Sequence, residues 1–66
     1  MVNDIAGFGD RFIYKGKAYY YMDEVKVKVR SKGKSEWVTN VLYYNDSGKY
    51  AREKKEFFQR FTKAPL

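Results

Sequence analysis

Seven consecutive residues constrain this chain more than any others: Glu24-Val25-Lys26-Val27-Lys28-Val29-Arg30 alternates without a break between charged and β-branched apolar side chains. Period two is the geometry of an extended strand, so Val25, Val27 and Val29 fall on one face and Lys26, Lys28 and Arg30 on the other. A helix would spread both sets around its circumference. The pattern predicts a half-buried strand with its valines turned inward and its cations turned to water.

The flanking segments extend the same logic. Ser31-Lys32-Gly33-Lys34-Ser35 reads as a polar loop and Glu36 to Tyr44 as a second strand. Pairing across that five-residue loop sets Arg30 opposite Glu36, Val29 opposite Trp37, Val27 opposite Thr39 and Val25 opposite Val41. Lys28 then meets Val38 and Lys26 meets Asn40. Upstream, Phe12-Ile13-Tyr14 and Ala18 to Met22 flank a Lys15-Gly16-Lys17 linker, predicting a hairpin with Gly16 at positive φ. Asn45-Asp46-Ser47-Gly48 is a turn sequence, and a short strand over Lys49 to Arg52 follows.

Glu53 to Phe61 predicts one or two helical turns, with Arg52/Glu56 and Glu56/Arg60 at favourable spacing and Phe57, Phe58 and Phe61 forming a wedge on the sheet. Thr62 to Ala64 predicts a last edge strand before Pro65. Residues 1–9 read as a flexible lead-in in which Ile5 and Phe8 touch the body, and residues 10–66 as one domain. A sheet this small with one apolar face covers itself by curling. The predicted fold is mainly β: a small antiparallel barrel of about five strands with one short C-terminal helix.

The 66 residues include no cysteine and no histidine. That excludes a disulfide framework and zinc held by thiolate or imidazole, and it removes the commonest general base and the best nucleophile. Asp23 and Glu24 are neighbours on a strand and point to opposite faces, while Glu53 and Glu56 each have basic neighbours, so no carboxylate dyad emerges. Gly7-Phe8-Gly9 is too short for a phosphate-cradling loop. The expectation is a noncatalytic domain with no cofactor and no metal. No apolar run approaches the roughly 18 residues of a membrane span, and the acidic, glycine-bearing start does not read as a signal peptide. A cytoplasmic protein without a membrane partner is expected, in the host cytoplasm if the source is a virus.

Binding chemistry is better represented. Fourteen Lys and Arg against eight Asp and Glu give a net charge of +6, which favours polyanionic partners. Lys26, Lys28, Arg30, Lys32 and Lys34 recur at every second position with no acid between Glu24 and Glu36. On a strand Lys26, Lys28 and Arg30 stand about 7 Å apart, close to the roughly 6 to 7 Å between phosphates of an extended nucleic-acid strand, and Lys32 and Lys34 make a basic tip. These five, flanked by Lys15, Lys17 and Tyr20, are the candidate contacts to DNA or RNA. The plainer reading of the same residues is a solvated face that discourages edge pairing. The competing partner is a protein. Val38, Leu42 and Tyr44 share the face opposite Trp37, Val41 and Tyr43, and if uncovered they mark a contact with an acidic host or partner protein, or a homodimer.

Tyr14-Lys15-Gly16-Lys17-x-Tyr19, the Trp37-led strand with Val41-x-Tyr43, Tyr50-x-Arg52 and the Phe57 to Phe61 segment together resemble a short bacterial and bacteriophage domain of unknown function. The similarity spans about residues 10 to 63, and Glu53 stands where that family usually has proline. The resemblance implies a Src-homology-3-like (SH3-like) β-barrel and no established activity. By association it also suggests a phage-encoded protein that binds DNA, or one that modulates or inhibits a host protein.

Overall fold

The computed structural model describes residues 6–65; the expected contact of Ile5 and the rest of residues 1–5 lie outside the described residues. The elements run β1 (Arg11–Tyr14), β2 (Lys17–Ser31), β3 (Lys34–Asn45), β4 (Gly48–Glu53), α1 (Lys54–Arg60) and β5 (Thr62–Lys63). All five strands join one antiparallel sheet in the order β4-β3-β2-β1-β5. The fold is thus mainly β with one short helix. The expected closure into a barrel is not formed, because β4 and β5 are the two edges of an open sheet. The helix covers the apolar face that curling would otherwise have covered.

Both Lys-Gly turns are shorter than their polarity suggests. Lys15 and Gly16 take φ of 50° and 76°, and Lys32 and Gly33 take 51° and 79°. Positive φ at both central residues is the primed two-residue turn, whose twist matches the strands it joins. Tyr14 therefore pairs with Lys17 and Ser31 with Lys34, so the three- and five-residue linkers expected from the sequence shrink to two. The third turn follows the prediction, with Asn45 Oδ1 accepting from the Ser47 N–H at 2.9 Å.

The tighter second turn shifts the β2–β3 register by one residue from the expected one. Val29 faces Glu36, Lys28 faces Trp37, Val27 faces Val38, Lys26 faces Thr39 and Val25 faces Asn40. Nearer the core, Tyr21 pairs with Tyr43 but Asp23 pairs with Leu42, so Met22 is an extra residue that forms a bulge. One inserted residue reverses the side to which everything beyond it points. Tyr21 faces the core; past the bulge, Glu24, Lys26, Lys28 and Arg30 continue that face, and the valines take the other. The expectation that the valines turn inward is corrected: Val25, Val27 and Val29 are 40%, 38% and 37% exposed.

The core sits at the base of the sheet. Phe12, Tyr21, Val41, Tyr43, Phe57 and Phe61 form one buried cluster. Phe57 packs on three strands and on the residue that ends its helix, with its ring 5.0 Å from Phe12, 5.3 Å from Tyr43, 6.3 Å from Tyr21 and 4.2 Å from Phe61. Seven residues are too few for a self-supporting helix, so this aromatic packing holds α1 in place. Arg52 closes one side of the cluster. It lies 5.2 Å from the Tyr14 ring and 5.6 Å from Phe61, with Nη1 donating to Glu56 Oε1 at 2.6 Å. Beyond Glu53 on one side and Tyr21 on the other, β2 and β3 have no further strand neighbours among the described residues and project as a two-stranded ribbon.

Candidate functional site

The ribbon is where the charge of the chain becomes geometry. Antiparallel partners share a face, so Lys26 with Thr39, Lys28 with Trp37 and Arg30 with Ser35 line the side that carries α1 nearer the base. The three cations keep the row that the alternation predicts. Among the described residues they form no ion pair: Glu56, Glu24 and Asp10 engage Arg52, Arg60, Lys54 and Lys63, and by register Asp23, Glu36 and Glu53 belong to the opposite face. Trp37 lies within the row and is 66% exposed. The Lys28 ammonium stands 6.0 Å from its ring centroid, a contact that steadies the indole while leaving much of it open.

The inner end of the row is fixed by a small polar junction. Lys54, the first residue of α1, reaches Glu24 Oε1 at 3.3 Å, and the Tyr21 hydroxyl donates to Glu24 Oε2. Burial, reinforced by the Glu24 carboxylate, pushes the Tyr21 hydroxyl well above the ordinary tyrosine range, so it stays a protonated donor. Glu24 is thereby occupied and does not reach along the ribbon to neutralise Lys26. Beside the junction, where β4 leaves β3, a cleft of about 440 Å³ is lined by Glu36, Trp37, Val38, Thr39, Glu53, Lys54 and Lys55. The cleft gathers two lysines and two glutamates around the indole.

The other sequence-nominated cations are not gathered here. Lys32 is in the turn at the ribbon tip, and Lys34, paired with Ser31, belongs to the opposite face. Lys15 and Lys17 lie at the far end of β2, by the first turn. Tyr20 is on the face away from the row, its ring 5.6 Å from Tyr44. Lys17 and Tyr20 line a separate hollow of about 310 Å³ with Ala18, Asn45, Asp46 and Ser47. Val38, Leu42 and Tyr44 do share one face, half-buried; the Phe8 ring lies 6.2 Å from that of Tyr44, and no strand or helix among the described residues covers the rest.

Sequence reasoning passed over Trp37 as a surface group, because the assumed register turned it toward the valines. A two-residue Lys-Gly turn places it opposite Lys28, and that was the available signal. Among the described residues no group of three or more Asp and Glu is placed to hold a metal ion, and no helix is long and apolar enough to cross a membrane. No family model, curated protein or solved structure matches the chain; the likeness to a bacteriophage domain stays an expectation from sequence.

Proposed function

We propose that this is a noncatalytic domain that binds nucleic acid along the α1-side face of the ribbon. Lys26, Lys28 and Arg30 contact successive phosphates and Trp37 stacks on a base. One observation carries the reading: a row of cations without carboxylate partners shares its face with an exposed tryptophan. Stacking platforms combined with a positive track are how single strands are held without base-edge readout. Lys55 adds a further cation at the cleft. A bare cationic row would suit a duplex backbone equally well; the indole favours an unpaired strand.

The SH3-like relationship belongs with this proposal. A four-strand meander, a helix, and a last strand returning beside β1 support it, since the helix connects the two edge strands of the sheet. A second reading, in which Val38, Leu42 and Tyr44 contact a protein, is favoured by the exposure of the β2 valines that join them.

Titration of mixed-sequence single-stranded and duplex DNA and RNA at two salt concentrations tests the proposal, with fluorescence of the sole tryptophan as the signal. Expected are quenching on single strands and steep weakening with salt. Replacing Lys26, Lys28 and Arg30 together by alanine should reduce the log–log salt slope by about 2, as three lost phosphate contacts on a single strand require. Absence of binding at low salt, or an unchanged slope in the triple variant, would end the nucleic-acid reading.

A further inference from the structure

The face opposite α1 is the largest feature the nucleic-acid proposal leaves unused. It carries Val25, Val27 and Val29 of β2 and Val38, Leu42 and Tyr44 of β3 as an apolar strip interrupted by Asn40. The distal part of this strip lies on a ribbon only two strands wide, an arrangement that is marginal in water unless something packs on it. Its charges are balanced, unlike those of the molecule as a whole. By register and alternation the described strand residues on this side include Arg11, Lys34 and Lys49 against Asp23, Glu36 and Glu53. Three bases offset three acids here, while the chain carries +6.

We infer that this face binds a second copy of the same chain, back to back. Two molecules of equal positive charge repel through any cationic surface, and this side is neutral. Along the ribbon Lys34 and Glu36 lie toward the tip, Glu53 and Asp23 stand beside Asn40 and Leu42, and Lys49 and Arg11 flank Tyr44 and Tyr20 at the base. Asn40 is four residues from each of Glu36 and Tyr44 along β3. A two-fold axis across the strands at Asn40 lays Glu36 of each copy over the Lys49 and Arg11 row of the other, sets Val38 against Leu42, and leaves the two copies of Glu53, paired with Asn40 on the edge strand, as the like-charge contact. This self-complementarity is what an isologous contact requires.

The size of the face is adequate. At about 3.3 Å per residue and about 4.8 Å between strands, the strip from Tyr20 to Val29 with its β3 partners, widened by β1 and β4 at the base, projects over roughly 500 Å². Two such faces in contact remove on the order of 1,000 Å² of surface, where specific interfaces begin. Aligned sheets pack in this way about 10 Å apart. The pair would present two cationic ribbon faces outward, and this assignment stands whether or not those faces bind nucleic acid.

Sedimentation equilibrium of the full chain from micromolar to millimolar concentration tests it. A species of about 16 kDa, twice the 7.9 kDa chain, is expected to build up with concentration. Val27→Lys, on the exposed ribbon and outside the buried cluster, should weaken the dimer by about 100-fold or more while circular dichroism stays unchanged. Glu36→Lys and Lys49→Glu should each weaken it several-fold, and the double exchange should restore it; the restoration also covers the case in which Val27→Lys fails to fold. A chain that remains monomeric at millimolar concentration, or a dimer indifferent to both Val27→Lys and the charge exchange, overturns the inference.

Discussion

Asp10 fastens the segment before β1 to both the first and the last strand. Its carboxylate accepts the Gly7 N–H at 2.8 Å and faces Lys63 Nζ at 3.4 Å. The Gly7 bond, with help from Lys63, holds the Asp10 carboxyl below the 3.8 of a free aspartate. A carboxyl that is more acidic when folded stabilises the fold fully above the unfolded value, and that contribution is lost as pH falls through the lower folded midpoint. NMR titration should place the Asp10 midpoint below 3.8, and Asp10→Asn should abolish this part of the acid dependence of stability. A midpoint at or above 3.8 would show that the tie to Gly7 is not made in solution.

Legibility at this scale was uneven. Gly16 at positive φ follows from its lack of a side chain, but its neighbour Lys15 shares that sign, as does Lys32 beside Gly33. A lysine there costs about 1 kcal/mol or more, so local preference argues against the very geometry that the sheet twist selects. Strand pairing overrides it.

At the scale of the element, the bulge decides which chemistry each face presents. The alternation from Glu24 to Arg30 defines two faces without saying which is inside. The deciding residue lies in Tyr19-Tyr20-Tyr21-Met22, where every side chain is large and apolar and no polar residue marks the parity. Deleting Met22 gives a specific expectation. Asp23 already pairs with Leu42 immediately after Tyr21 with Tyr43, so the deletion removes the bulge and leaves every pairing beyond it intact. Nuclear Overhauser contacts between Lys28 and the Trp37 ring should persist. Contacts from Val27 to that ring instead would mean that the turn, and not the bulge, adjusts to restore the register.

At the scale of the molecule, stability and the proposed function occupy different ends of the sheet. Phe57 is fully buried among the core rings, and Phe57→Ala should cost about 3 to 5 kcal/mol. A domain this small has little more than that in total, so cooperative thermal unfolding should disappear. Trp37→Ala touches no buried residue of the cluster and should change stability by about 0.5 kcal/mol or less, yet remove about 1 to 3 kcal/mol of single-strand affinity. Equal losses of stability and affinity in the tryptophan variant would refute that separation. The mainly β class, the short helix with its phenylalanine wedge and the turns between successive strands were readable from spacing. The open sheet was not, because the unbroken lengths of β2 and β3 depend on one bulge and two tight turns that composition hides.

A ribbon anchored at one end behaves as a cantilever. Fraying from the Lys32-Gly33 tip breaks only a few local pairs, whereas opening at the root must also dismantle the aromatic cluster. A long polyanion laid along the free end has to quiet its motion as well as touch it, and some of the contact free energy is lost to that ordering. Grip on such a ligand thus depends on the stiffness of the beam as much as on the number of charges mounted along it.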